Sequence, residues 1–171
     1  VLILALESRA IAQYIIAKYR GQGTELAPTE SDLKAYALYQ QVCWTSNFFG
    51  KVLTSQAISM ELSYFDPLVS QLAYEKVWKS MKGQGEPDEA RVKTLLAQLD
   101  QTLQSYERVL SKQKYLAGDQ LTFADLSHLP YGVFVEKFGF ADLIAKYPHF
   151  QKYWEELKTR ESWKKVSASS N

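Results

Sequence analysis

The sequence predicts a mainly all-α protein, and three observations carry that expectation. Apolar residues recur at three- and four-residue intervals through most of the chain. One short apolar run, Val1-Leu-Ile-Leu-Ala-Leu6, reads as a buried strand, and nothing else reads as a sheet that would give it a partner. The 171 residues are 46% hydrophobic and 23% charged, which supplies enough apolar surface to offset the entropy of ordering the chain.

From Glu7 the pattern becomes helical. Ala10, Ile11, Tyr14, Ile15, Lys18 and Tyr19 trace one face of an amphipathic helix. Gly21-Gln-Gly23 ends it with residues that tolerate positive φ, and residues 24–30, with Pro28, read as a connecting loop. A long helix is predicted from Ser31, a good N-cap residue, through Leu33, Ala37, Leu38 and Gln41. Cys43-Trp-Thr-Ser-Asn-Phe-Phe-Gly50 then has no helical face. Periodicity resumes near Gln56 and runs through Leu62, Phe65, Leu68, Val69, Leu72, Ala73 and Val77 to Met81. A kink is expected at Asp66-Pro67, because proline brings no amide to the helix.

Gly83-Gln-Gly-Glu-Pro87 is a clear break. The next helix, over residues 88–112, carries the best stripe of the chain: Val92, Leu95, Leu96, Leu99, Leu103, Tyr106 and Leu110. Gly118 closes a short loop. Leu121-Thr-Phe-Ala-Asp125 opens a helix expected to run in one piece to Phe138. A last helix follows Pro148, with Phe150, Tyr153, Trp154 and Leu157 facing inward, and the small polar residues 167–171 are expected to fray.

Charge and composition narrow the function classes. With 20 Lys+Arg against 19 Asp+Glu the net charge is +1, which gives no electrostatic reason to expect nucleic acid or an acidic membrane surface as partner. The six-residue apolar run is too short for a bilayer core of roughly 30 Å, and Glu7 interrupts it too early for a signal peptide. Cys43 is the sole cysteine, so no internal disulfide forms, which fits the reducing cytoplasm. The chain begins at Val1 with no initiator Met and reads as the remainder of something longer. His128 and His149 are too isolated for a metal site, so no metal ligand is named. His128 is expected to pack in the core with one ring nitrogen bonded to backbone. No Gly-rich phosphate loop, Ser/His/Asp order or paired-carboxylate motif is present, so no catalytic residue is named either.

Two short motifs stand out. Thr122-Phe-Ala-Asp125 has capping-box spacing, with Leu121 and Leu126 placed as a hydrophobic staple; Asp125 is read as fixing a helix start rather than as a catalytic acid. Glu7-Ser8 lies where a strand hands over to a helix, beside unpaired amides and the positive dipole end. Two readings stay open there. Either Ser8 is an ordinary helix cap, or Ser8 and Glu7 together receive the carboxylate and ammonium of an amino-acid end.

Taken together, the motifs resemble the cytosolic glutathione transferases, phi-like and fungal-type. Glu7-Ser-Arg-Ala-Ile11 after a hydrophobic strand is similar to the segment that holds the γ-glutamyl end of glutathione. Phe65-Asp-Pro67 followed by Leu72-Ala-Tyr-Glu-Lys-Val77 resembles the fourth helix of phi-like members. Tyr115-Leu-Ala-Gly-Asp119 and then Leu121-Thr-Phe-Ala-Asp125 resemble the segment before the sixth helix, where the capping box is a folding signature. His128-Leu-Pro130 and Tyr147-Pro148 look like phi-class neighbours.

The resemblance implies a two-part fold: a thioredoxin-like α/β domain that binds glutathione, then an all-helical C-terminal domain that supplies the pocket for a hydrophobic co-substrate. On that template residues 1–23 are the last strand and helix of the thioredoxin-like domain. Residues 31–166 are the helical transferase domain, with 42–55 an unmatched insertion, and 167–171 are a tail. The implied activity is conjugation of the glutathione thiol to hydrophobic electrophiles in detoxification, with glutathione as co-substrate and no cofactor, in a protein that is a homodimer when complete. Glu7 and Ser8 carry over as glutathione contacts, Arg9 has at most a structural role near the dimer interface, and Tyr64, Phe65 and Tyr131 are placed by position in the hydrophobic pocket.

The chain also departs from the family pattern. The hydroxyl or thiol that steadies the glutathione thiolate, and the cis-proline loop, map ahead of Val1, so the 171-residue form is expected to be truncated. A thiol with pKa of about 8.5 needs a nearby donor or cation to ionise at neutral pH. A non-catalytic ligand-binding or scaffold domain is therefore the alternative function. Residues 42–55 read either as a lid over the pocket or as translated non-coding sequence, the second being preferred because unstructured insertions of that length are uncommon in compact domains.

Overall fold

The computed structural model describes residues 8–26 and 60–168. Among them all regular elements are helical, apart from an isolated bridge between Tyr115 and Gly118. The expected strand at 1–6, the helix begun at Ser31, Cys43, the stretch 42–55 and the last three residues of the tail lie outside the described residues.

Helix α1 (Ser8–Lys18) forms where the period predicted it, and Gly21, at φ 77°, follows it. Its apolar face is not buried as an amphipathic pattern implies: Ile11, Tyr14, Ile15 and Tyr19 are 39–52% exposed. Hydrogen bonds between described residues tie this segment to the later helices. The Phe123 amide donates to the Leu26 carbonyl (3.3 Å), and Arg160 Nη2 donates to Thr24 Oγ1 (3.3 Å).

Helix α2 spans residues 61–81 and is not uniform. A π-helical turn (Glu61–Phe65) leads into an α-helical stretch (Asp66–Ala73), a second π turn (Tyr74–Trp78) and a final α-helical turn (Lys79–Met81). The disturbance expected at Asp66-Pro67 takes the form of the first widened turn: the Asp66 amide bonds the Glu61 carbonyl five residues back, and the proline, which has no amide, sits just inside the next stretch. The second π turn has no counterpart in the apolar period.

Helix α3 (Glu89–Leu110) begins at Asp88, whose carboxylate accepts the Arg91 amide (3.0 Å). Its predicted stripe is the spine of the core: Val92, Leu95, Leu99, Leu103, Tyr106 and Leu110 are all buried, each worth roughly 1.5–3 kcal/mol of transfer free energy for the aliphatic side chains.

The helix expected in one piece over 121–138 is two helices, α4 (Phe123–Leu126) and α5 (Leu129–Lys137). The break has a local cause. The Ala124 carbonyl is taken by Ser127 Oγ (2.8 Å) and by the His128 ring (2.8 Å), while Pro130 in the first turn of α5 has no amide to continue the ladder. A short helix α6 (Ala141–Ala145) follows Gly139, at φ 85°. Helix α7 (Pro148–Thr159) matches the predicted last helix, but the chain turns at Arg160 into α8 (Glu161–Ala168), so Ser167 and Ala168 are helical rather than frayed.

Helices α2, α3, α5 and α7 enclose the core. Phe65, Val69 and Leu72 of α2 meet the α3 stripe, Leu129 and Val135 of α5, and Phe150, Trp154 and Leu157 of α7. The rings of Phe150 and Trp154 stack at 6.2 Å. Gly132 lets α5 approach them closely: a Cβ there would lie 2.5 Å from Trp154 Cη2.

Candidate functional site

Three titratable side chains of the core, Asp125, His128 and Tyr106, are spent on architecture. Asp125 accepts the amide of Thr122 (2.8 Å) and its hydroxyl (3.0 Å) on one oxygen, and the Leu116 amide (3.0 Å) on the other. The capping box is present as the spacing predicted. Burial pushes the Asp125 carboxyl above its ordinary range, against the downward pull of these bonds. His128 is fully buried, as expected. Its Nδ1 faces the Ala124 carbonyl (2.8 Å) and so donates, which leaves Nε2 to accept from the Tyr106 hydroxyl (3.0 Å). Phe65 packs over the imidazole at 4.7 Å between ring centroids. Burial raises the Tyr106 hydroxyl far above the usual tyrosine range. None of these groups faces an open surface.

His149 is also structural: Glu107 Oε1 accepts both its amide (3.2 Å) and its Nδ1 (2.7 Å), and Oε2 accepts the Phe150 amide (2.9 Å), so a carboxylate of α3 caps the start of α7. Of the predicted glutathione contacts, Glu7 lies outside the described residues and Ser8 is the first residue of α1. Among the described residues no group of three His, Cys, Asp or Glu side chains is placed to hold a metal ion, and no helix is long and apolar enough to cross a membrane.

An open groove of about 620 Å³ lies between α2 and α3, within the range of small-molecule sites. The α2 wall carries Met60, Ser63, Tyr64 and Leu68, with Ser63 and Tyr64 brought there by the first π turn. The α3 wall carries Gln98, Gln101, Thr102 and Ser105, which lie at i, i+3, i+4 and i+7 on the helix face that flanks the leucine stripe. Thr102 Oγ1 donates across the groove to the Tyr64 carbonyl (3.3 Å) and Ser105 Oγ to the Gln101 carbonyl (3.1 Å). Arg108 Nη2 donates to Ser105 Oγ (3.1 Å) from the rim. No described lining side chain is ionisable near neutral pH, so the groove is suited to holding an uncharged molecule, not to acid–base work.

The three residues predicted for the pocket do not converge. Tyr64 lines the groove, 62% exposed; Phe65, the next residue, turns into the core; Tyr131 packs edge-on against Trp78, with ring centroids 6.0 Å apart. A helix turns by about 100° per residue, so neighbours such as 64 and 65 point apart. The α3 wall was missed altogether, although four uncharged polar residues at helical spacing beside an apolar stripe were available as a signal.

Comparison with known proteins agrees with this architecture. The family model of the glutathione S-transferase C-terminal domain matches residues 69–161, more than half of the chain. Glutathione S-transferase PM239X14 of Arabidopsis thaliana is 44% identical over 148 residues, covering 86% of this chain and 60% of that protein. Glutathione S-transferase hmp2 of Hypomyces subiculosus is 37% identical over 164 residues, covering 96% of this chain and 70% of its own length. The structure of glutathione S-transferase I from maize, in complex with an atrazine glutathione conjugate, is similar at a TM-score of 0.79 and 27% identity, over 97% of this chain and 68% of that one. The chain thus spans 60% of the Arabidopsis relative and 70% of the fungal one. A helical bundle, its capping box and these matches lead to one conclusion: the chain belongs to the glutathione S-transferase family, among its phi-like and fungal members.

Proposed function

We propose that this chain works in a glutathione transferase that joins the thiol of glutathione to an uncharged, largely apolar electrophile, with the groove between α2 and α3 holding the electrophile. The observation that carries the reading is that groove, open and free of ionisable lining among the described residues, in a chain of this family. The complex of the maize relative with an atrazine glutathione conjugate supports the substrate class. In the reaction a thiolate sulfur attacks the electrophilic carbon, a carbon–sulfur bond forms and the leaving group departs with its electron pair; holding both partners in contact supplies much of the acceleration. The γ-glutamyl end of glutathione sits at the start of α1, its carboxylate against Ser8 and the first-turn amides and its ammonium against Glu7. The protein acts in the cytoplasm, in detoxification, as a homodimer.

Conjugation of chlorodinitrobenzene by the purified 171-residue chain tests the activity. A rate above that of glutathione in buffer is expected. A rate equal to buffer, with the chain stabilised against heat by a large aromatic compound and not by glutathione, replaces the enzyme with a ligand-binding domain. Calorimetric titration of glutathione into the Glu7→Ala/Ser8→Ala variant tests the contacts. About tenfold or greater weakening is expected from the loss of two charge-assisted hydrogen bonds, and unchanged affinity rejects the assignment.

A further inference from the structure

The loop behind α1 meets the helical half at Leu26 and at Thr24, and its own bonds make it stiff. The Gln22 amide donates to the Tyr19 carbonyl (3.1 Å) and Arg20 Nε to Glu25 Oε1 (3.4 Å), so residues 19–25 close on themselves. The Leu26 side chain packs on the core, and its carbonyl accepts the Phe123 amide (3.3 Å). That amide opens α4 and has no partner inside its own helix, since the capping box serves Thr122 and Asp125. At Thr24 the hydroxyl accepts Arg160 Nη2 (3.3 Å) across 136 positions of sequence. The arginine is launched from a fixed elbow: its amide closes α7 on the Leu157 carbonyl (3.4 Å), and its carbonyl starts α8 by accepting the Lys164 amide (3.0 Å). Glu156, one turn earlier, attracts the guanidinium, but its carboxylate is bonded by Tyr115 and Lys114. Among the described residues the directed side-chain bond of Arg160 goes to Thr24. Helix α1 gives little of its apolar face to packing, with Ile11, Tyr14, Ile15 and Tyr19 at 39–52% exposure, so its placement leans on the loop.

We infer that Arg160 is a positioning residue: its bond to Thr24 sets the loop after α1 and, through that stiff loop, the direction of α1 with Ser8 at its start. The role rests on the start of α1 receiving the γ-glutamyl end of glutathione, and it falls to a residue in the far half of the chain. A hydrogen bond weakens steeply as its angle leaves the linear range. A small rotation of α1 therefore loosens the grip of Ser8 and the first-turn amides without removing any of them. Arg160 acts on the tripeptide through Thr24 and not by contact, so the hydroxyl of Thr24 matters and its bulk does not. The bond lies at the surface, where water competes for both groups, so its net worth is small and its effect graded.

Hydrogen exchange and calorimetry on the 171-residue chain test the inference. Thr24→Val keeps the side-chain shape and removes the acceptor, whereas Thr24→Ser keeps the acceptor. Arg160→Met keeps the stem and removes the donors, and Thr24→Val/Arg160→Met combines the two losses. Exchange of the α1 amides is expected to quicken about threefold in Thr24→Val, in Arg160→Met and in the double variant alike, because all three lose the same bond. Thr24→Ser should exchange at the wild-type rate. The α3 amides and the melting temperature should not move, which separates positioning from a general loss of stability. Glutathione should bind about threefold more weakly to the same three variants, read by calorimetric titration, and with wild-type affinity to Thr24→Ser. Unchanged α1 exchange in Arg160→Met, a double variant showing the product of the two single effects, or α3 amides that quicken equally each overturns the inference. So does unchanged glutathione affinity in variants whose α1 amides exchange faster. A wild-type chain that binds no glutathione defeats the reading of Ser8 instead, and the exchange measurements then decide by themselves whether Arg160 holds α1.

Discussion

Asp125 gathers three donors on one carboxylate, two from the start of its own helix and one from Leu116, nine residues earlier. Its truncation orphans two buried amides at once, each costing about 1–3 kcal/mol. Asp125→Ala is therefore expected to lower stability by about 3 kcal/mol, read as a shift in the urea midpoint with little change in slope. A loss below about 1 kcal/mol would mean that the carboxylate is dispensable. At this scale the sequence was partly legible. The capping box follows from four adjacent letters, because both of its bonds are local. The Leu116 bond was not visible, since it requires the loop through Tyr115 and Gly118 to return against α4. Tyr64 and Phe65 show the same limit: a residue can be placed on a helix by period, but which neighbour faces the groove depends on a π turn that shifts the register.

At the scale of elements, Gly132 decides how closely α5 approaches α7. In most helices alanine is about 1 kcal/mol better than glycine. Here a methyl group would meet Trp154 Cη2 at 2.5 Å and Phe65 Cζ at 3.3 Å, and Trp154 is itself buried and stacked on Phe150. Overpacking of a core costs about 1–3 kcal/mol, so Gly132→Ala is expected to destabilise the chain by roughly 1–2 kcal/mol, with a lower melting temperature; a higher one would show that the two helices separate freely. Helices α1, α3 and α7 were legible because each has a continuous stripe and a recognisable end. The division between α4 and α5 was not, because it comes from Ser127 and His128 competing for the Ala124 carbonyl, and side-chain competition leaves the apolar period intact.

For the whole molecule, acid is the informative variable. Three carboxylates join distant parts of the chain, and each is held below its ordinary pKa. The Lys146 ammonium and then the Tyr147 hydroxyl do this for Asp100. For Glu107, partial burial pushes upward but is outweighed by His149 and the amides of His149 and Phe150. For Glu156, burial is likewise outweighed by Tyr115 and Lys114. A depressed folded-state pKa gives stability that is present above the unfolded value and lost as pH falls through the folded one. Asp125, raised by burial, runs the other way, giving up stability as pH rises through its folded value. Glu75 is lowered as well, by the Asp88 amide and then by Lys79, so among the described residues four lowered carboxylates stand against Asp125, and the melting temperature is expected to hold near neutrality and to fall as pH drops below about 4, the ordinary carboxylate range. Glu107→Gln should start lower at pH 7 and lose less on acidification, so that the two curves approach each other near pH 3. Parallel curves over that range would remove Glu107 from the account.

The same carboxylate has a consequence for the order in which the molecule assembles. The bond from Glu107 to the His149 amide crosses 42 positions of sequence, and the anchor is the earlier of the two. As the chain leaves the ribosome, the receptor for the first turn of α7 is already made when that turn emerges, so the late segment is captured on arrival instead of nucleating unaided. A circularly rearranged gene that delivered α7 ahead of α3 would keep every native contact and forfeit that head start.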